Sequence, residues 1–238
     1  MVVPVFDEVD NVAPLAAEIA GAFVGRGPFE LIFVDDGSGD GTAEALARLR
    51  REDRRVRVIR HRRNAGQTAA IYSGALAARG DWIVTLDGDG QNDPADIGAL
   101  LAARDRDGGP DLQLVNGIRR RRQDTLAKRL GSRLANRLRR RVLADGSVDT
   151  CCGLKLFRRE SFLTLPVFDH MHRFLPALFQ RQGGRVIAVD VNHRPRRSGA
   201  SSYGLLDRAL VGVADLAGVL WLSRRAGPLR TPSDEVDA

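Results

Sequence analysis

The sequence predicts an α/β protein built on an open, mostly parallel, Rossmann-like sheet flanked by helices. Two observations carry this. Apolar, strand-like runs alternate with helix-like segments through the first half of the chain, which is the rhythm of βαβ units. The acidic turns Asp35-Asp36 and Asp87-Gly88-Asp89 both fall just past the ends of such runs. Ligands of open parallel sheets bind outside the carboxyl ends of the strands, so two acidic turns on one sheet edge point to a site.

Val2, Val3, Val5 and Phe6 make the first strand, and Pro4 within it marks either an edge or a break that a ligand uses. Asp10-Asn11 cap a helix in which Val12, Leu15, Ile19 and Phe23 share one face. Leu31 to Val34 is the second strand, ending in Asp35-Asp36-Gly37-Ser38, and the next helix is entered through Asp40-Gly41-Thr42. Val56 to Ile59 is a third strand. Asn64-Ala65-Gly66-Gln67 then leads into a helix over Thr68 to Ala78.

Trp82 to Leu86 is a continuous apolar run and reads as a buried fourth strand. Beyond it, Gly88 and Gly90 let the backbone turn sharply and bring Asp87, Asp89 and Gln91 to one point. Three oxygen donors suit Mg²⁺ or Mn²⁺, with phosphate oxygens completing the shell. On its own, such a turn is more often a plain strand-to-helix connection. Its place on the same edge as Asp35-Asp36 shifts that balance. Asp93 then caps a helix with Pro94 at its first position.

The chain has 238 residues, enough for one domain with a sizeable core or a domain plus a small appendage. At 43% hydrophobic and 28% charged it is globular in composition. A net charge of +7 predicts attraction to polyanions: nucleic acid, an anionic membrane face or phosphorylated substrates. Cys151 and Cys152 are adjacent, a spacing that neither staples a fold nor binds zinc, which points to a reducing compartment. The opening MVVPVFDE has neither the basic nor the apolar region of a secretory signal. The longest later apolar stretch, Ala209 to Leu222, contains Asp215 and is too short to span a bilayer.

In the second half, Leu112 to Val115 reads as a strand, followed by Arg119 to Arg122 and a basic helix over Thr125 to Val142. That helix has three readings: a solvated surface, a nucleic-acid face lacking aromatic residues for stacking, or a grip on a phosphate. His172 reads as structural, with a catalytic role kept open. Cys152 reads as buried and inert. Arg185 to Val191 alternates as a strand, and Leu205 to Leu222 is an amphipathic helix with Trp221 near its end.

Pro4-Val5-Phe6-Asp7-Glu8 with Asn11, VDDGSGDGT at Val34 to Thr42, Asn64-Ala65-Gly66 and Asp87-Gly88-Asp89-Gly90-Gln91 with Pro94 come in an order and spacing that resemble the inverting family 2 glycosyltransferases of the GT-A fold. Among these the chain is most similar to the dolichyl and polyprenyl phosphate sugar transferases. The resemblance implies that Pro4, Phe6 and Glu8 line the nucleotide pocket, with Phe6 and Asp7 where the family usually has Tyr and Asn. It implies that Asp36, with Asp35 beside it, hydrogen-bonds the base, and that Gly66, Gln67 and Gly88 belong to the donor site. Asp87, Asp89 and Gln91 would hold the metal on the diphosphate, so that Asp87, Asp89 and Arg119 form the catalytic set.

On the acceptor side, the resemblance implies that Arg119, Arg129, Ser132 and Arg133 grip a phosphate, and Asp149 to Arg158 resembles the family's Asp-x-x-Cys-Gly-Phe-Lys motif. His193 to Tyr203 resembles the loop that closes over the donor; Ser202 replaces its usual lysine, leaving Arg196 or Arg197 to supply charge. The implied domain plan is a GT-A domain over 1–203, a C-terminal amphipathic helix over 204–225 at a membrane surface, and a polar tail over 226–238.

The implied reaction is sugar transfer from a nucleoside-diphosphate sugar to a polyprenyl phosphate, with inversion. A phosphate acceptor is already an anion and needs no base. A hydroxyl acceptor would need one, and Asp149 and Asp169 are the only candidates in view. The alternatives are therefore a hydroxyl-directed glycosyltransferase and, in another class, a non-catalytic polyanion binder on the same fold. Expected partners are the donor, the lipid phosphate, an anionic membrane surface and an integral membrane protein, with no nucleic acid. The expected location is the cytoplasmic, inner face of the membrane.

Overall fold

The computed structural model describes residues 1–119, 149–195 and 205–225. The strands are β1 (Val2–Val5), β2 (Leu31–Asp35), β3 (Val56–Arg60), β4 (Trp82–Thr85), β5 (Leu112–Arg119), β6 (Lys155–Arg158) and β7 (Arg185–Val191). The helices are α1 (Val9–Ala22), α2 (Thr42–Glu52), α3 (Gln67–Ala77), α4 (Ile97–Asp107), α5 (Arg159–Leu163), α6 (Leu175–Arg181) and α7 (Leu205–Arg224). Short 3-10 turns lie at Pro94–Asp96 and Met171–Arg173.

The strands form one seven-stranded sheet in the order β3-β2-β1-β4-β6-β5-β7. Pairing is parallel except where β6 runs antiparallel between β4 and β5. Successive strand residues face opposite sides, so the near-continuous apolar strands feed two cores. Val3, Val5, Leu31 and Phe33 pack with Val12, Leu15 and Ile19 of α1, Leu46 of α2 and Leu100 of α4. Val2, Ile32 and Val34 pack with Ile71 of α3, Phe162 of α5, Leu178 of α6 and Val219 of α7. Phe33 is fully buried, and its truncation to alanine is of the kind that costs about 3–5 kcal/mol.

Two sequence expectations need correction. Pro4 does not mark an edge, because β1 lies between β2 and β4. The carbonyls of Met1 and Val5 accept from Ile32 and Asp36, so by alternation the backbone of Pro4 faces β4. There the pairing ends after Val2 opposite Thr85, and the missing N–H costs no ladder bond. Strand β6 was invisible as a strand within the Cys-Gly-x-Lys motif. Its antiparallel return sets Lys155 opposite Thr85 and carries the preceding turn across the end of β4.

Helix α7 packs on the second core through Val219, with Leu216 and Leu222 partly buried. Its Trp221 is 58% exposed, with the Arg225 guanidinium 5.2 Å from the ring centroid. Asp215, midway along it, lies 3.1 Å from His170 Nδ1. Among the described residues no helix is long and apolar enough to cross a membrane.

Candidate active site

The loops at the carboxyl ends of β1 and β2 are sewn together by main-chain donors. Asp7 N–H donates to Ser38 Oγ and Gly39 N–H to Asp7 Oδ1, at 2.9 and 2.8 Å. Glu8 N–H donates to Thr42 Oγ1 at 2.9 Å, and Val9 N–H to Asp40 Oδ2 at 3.1 Å. Asp7 sits at φ +54°, a left-handed conformation that Asn and Asp adopt more readily than other side chains. The oxygen that accepts here has a counterpart in asparagine, so either side chain could make this contact. Glu8 accepts from Asn11 Nδ2, and the Phe6 ring is 40% exposed beside them.

Asp35 and Asp36 are both buried at the end of β2. Asp35 Oδ1 accepts from Ser38 N–H at 2.9 Å, and Arg60 Nε lies 3.2 Å from Oδ2. Asp36 is fully engaged: Oδ1 takes Ala65 N–H at 2.9 Å and lies 2.6 Å from His61 Nδ1, while Oδ2 takes Gly66 N–H at 2.8 Å. Gly66 has φ +89° and leads into α3, whose first residue, Gln67, donates from Nε2 to Asp87 Oδ1 at 2.7 Å.

The Asp87 turn is tightly walled. A Cβ on Gly88 would stand 2.6 Å from Val5 Cγ1 and 2.9 Å from the Pro4 carbonyl. A Cβ on Gly153 would stand 2.3 Å from the Asp87 carboxylate, so the turn before β6 presses its backbone directly on that group. Burial first, and Asp89 second, push the Asp87 carboxyl up to about 6, against the opposing positive charges of Lys155 and Arg119. Asp89 Oδ1 accepts from Gln91 N–H at 3.1 Å, and the Gln91 carbonyl accepts from Arg194 N–H at 2.8 Å.

A hard divalent cation fits these residues. Two carboxylates are held close in a desolvated turn, where their mutual repulsion favours a bound positive charge. Among the described residues no group of three or more His, Cys, Asp or Glu side chains forms a ligand cluster. Asp87 and Asp89 would thus need Gln91 and substrate oxygens to complete a shell, as Mg²⁺ sites on phosphate substrates do.

The residues at the end of β5 and in the turn before β6 are held mainly by charge. Arg119 Nε and Nη2 donate to Asp149 Oδ2 and Oδ1 at 2.7 and 2.9 Å, a fork on a carboxylate, and this pair holds the guanidinium proton more firmly. Asp149 is therefore neutralised and is not poised as a general base. Lys155 is buried, and its ammonium donates to the carbonyls of Thr150 and Cys152. Burial pushes the Cys152 thiol up, consistent with an inert cysteine. His172 is half-buried with Nδ1 2.8 Å from Thr68 Oγ1, and desolvation of its ring drives its pKa well below the usual imidazole value. The lowered value favours the neutral imidazole.

The structure thus gathers Asp87, Asp89, Gln67, Gly88 and Gly153 at the end of β4 and turns Asp35 and Asp36 into loop anchors beside them. Sequence reading missed His61, which has no local signal because it acts on a residue remote in the chain. It found Gly153 and Lys155 only as members of a motif, without their contacts to Asp87 and to the Thr150 and Cys152 carbonyls. Arg129, Ser132, Arg133 and Arg196 lie outside the described residues, as do the basic helix and most of the glycine-hinged loop. The start of that loop is anchored: Arg194 lies 2.7 Å from Glu18 and 2.5 Å from Asp93, both carboxylates.

The model of Glycosyl transferase family 2 matches residues 1–165. The chain is 37% identical over 229 residues to a dodecaprenyl-phosphate galacturonate synthase of Rhizobium johnstonii, covering 94% of this chain and 67% of that protein. It is 35% identical over 208 residues to an undecaprenyl-phosphate 4-deoxy-4-formamido-L-arabinose transferase of Edwardsiella ictaluri, covering 87% of this chain and 63% of that one. The chain therefore spans only about two thirds of the length of these curated relatives. Among solved structures, glucosyl-3-phosphoglycerate synthase of Mycobacterium tuberculosis, in complex with Mn²⁺, uridine diphosphate and glucosyl-3-phosphoglycerate, superposes with a TM-score of 0.70 at 20% identity. That match covers 93% of this chain and 78% of the other. Mannosyl-3-phosphoglycerate synthase of Rubrobacter xylanophilus gives 0.70 at 20% identity, covering 98% and 77%. At such identity these two matches speak to the fold, which is GT-A.

Proposed function

This chain belongs to glycosyl transferase family 2, and from that premise we propose that it moves a sugar, with inversion, from a nucleoside-diphosphate sugar to the phosphate of a polyprenyl phosphate. The observation that carries the reading is the desolvated Asp87–Asp89 pair, backed by Gly153 at the carboxyl end of β4. The names of two relatives, a dodecaprenyl-phosphate synthase and an undecaprenyl-phosphate transferase, supply the acceptor class.

In this reading Asp87, Asp89 and Gln91 hold Mg²⁺ or Mn²⁺, which when bound supplies positive charge to the departing diphosphate. Pro4, Phe6 and Glu8 border the nucleotide, with Asp35, Asp36 and Gly66 shaping the loops around it. Arg119 and the buried Lys155 set a positive field at the acceptor side. The acceptor phosphate is an anion at neutral pH and attacks the anomeric carbon without a base. The fork of Arg119 on Asp149 leaves that carboxylate unsuited to the base that a hydroxyl acceptor would need. Arg129, Ser132, Arg133 and Arg196 remain assigned to phosphate binding on their motif alone. Helix α7, with exposed Trp221 and terminal Arg224 and Arg225, would rest on the anionic inner face of the membrane.

The test is transfer of radiolabel from a panel of nucleotide sugars to undecaprenyl phosphate in detergent. Label should enter the lipid phase only with Mg²⁺ or Mn²⁺, and Asp89→Asn should abolish it. Transfer to a saccharide hydroxyl with none to the lipid phosphate would overturn the acceptor assignment.

A further inference from the structure

Five hydrogen bonds and the Gly66–Gln67 peptide link make a line from Ser73 on α3, through His61 just past β3, to the Asp87 turn. Ser73 Oγ on α3 lies 2.9 Å from His61 Nε2, and His61 Nδ1 lies 2.6 Å from Asp36 Oδ1. An ionised carboxylate only accepts, so Nδ1 carries the proton and the imidazole plane is fixed from both sides. Asp36 in turn receives the Ala65 and Gly66 N–H groups, one on each oxygen. The next residue is Gln67, whose amide grips Asp87.

We propose that His61 is a positioning residue of the cation site: through the buried Asp36 carboxylate it fixes the Ala65-Gly66 turn, and so the Gln67 amide on Asp87. The inference rests on the proposed function, since it assumes that Asp87 binds a cation. It gives Asp36 a task other than reading the nucleotide base. Both Asp36 oxygens already have partners within the protein, and the His61 ring is held between Asp36 and Ser73. The hydrogen-bond partner of a metal-ligating carboxylate typically governs affinity by about 10–100-fold, so losing the Gln67 amide should register at that scale.

The test is Mn²⁺ binding to the metal-free protein, read as free Mn²⁺ by electron paramagnetic resonance, alongside binding of a free nucleoside. Gln67→Ala should weaken Mn²⁺ by about 10–100-fold and His61→Ala by about tenfold. The double variant should be no worse than Gln67→Ala, because serial links do not add. His61→Asn, which keeps a donor towards Asp36, should recover most of the loss of Mn²⁺ affinity. If His61→Ala does not fold, Ser73→Ala takes its place, with a smaller loss of Mn²⁺ affinity expected. An unchanged Mn²⁺ affinity in the folded variant, additive losses, or a fall confined to nucleoside affinity would overturn the inference. A wild-type chain that binds no Mn²⁺ would overturn the proposed function and this inference together.

Discussion

The two sides of the sheet's carboxyl edge are built differently. Around β1, β2 and α3, carboxylates are tied to main-chain N–H groups of neighbouring loops: Asp7 to Gly39, Asp40 to Val9, Asp36 to Ala65 and Gly66. Around β5, β6 and the start of the loop after β7, contacts run between charged side chains, as in Arg119 with Asp149 and Arg194 with Asp93 and Glu18. Main-chain donors fix a shape before any ligand arrives, which in the proposed reaction suits the donor nucleotide. Side-chain charge pairs can exchange partners, which in the same proposal suits an acceptor phosphate that enters, reacts and leaves.

The largest effect should come from breaking the charge-built side. Arg119→Ala leaves Asp149 ionised and mostly buried, so the variant should lose roughly 3–5 kcal/mol in denaturant unfolding. A loss within 0.5 kcal/mol, on the order of a surface pair, would contradict the comparison. Next comes the seam between the two sides. Gly153→Ala places a methyl group on the Asp87 carboxylate and should weaken Mn²⁺ affinity by up to about 100-fold, measured by titration calorimetry.

A smaller effect concerns pH. The Asp87 carboxyl protonates near pH 6 in the metal-free protein, and a proton there competes with the cation. Mn²⁺ affinity should therefore be level above that value and fall about tenfold per unit below it; in Asp87→Asn this slope should vanish. The smallest effect tests the mesh-built side. Asp7→Asn keeps the oxygen that accepts from Gly39 and tolerates the same left-handed backbone, so stability should change by less than about 0.5 kcal/mol. Asp7→Ala should lose more.

The first four strands and their acidic turns were legible in the sequence because each is local: an apolar run, then a turn residue at its end. The place of Pro4 in the sheet was not, since only the partner strands say where the ladder to β4 stops. Strand β6 was hidden for a related reason, as its four residues gain their extended form from β4 and β5 on either side. The pairing of Arg119 with Asp149 and the line from Ser73 through His61 to Asp36 join residues far apart in the chain, and no spacing rule announces them. Asp87, Asp89 and Gln91 were nominated from a turn, but the close approach of the Gly153 backbone to the Asp87 carboxylate appears only in the fold.

The proposed chemistry depends on a cation at the end of β4. Crystals grown with Mn²⁺ and a nucleoside diphosphate, measured at a wavelength where manganese scatters anomalously, test it directly. One anomalous peak should lie within coordination distance of Asp87, Asp89 and Gln91 and of both phosphates. A bound diphosphate with no peak there, or a peak held by other residues, would contradict it.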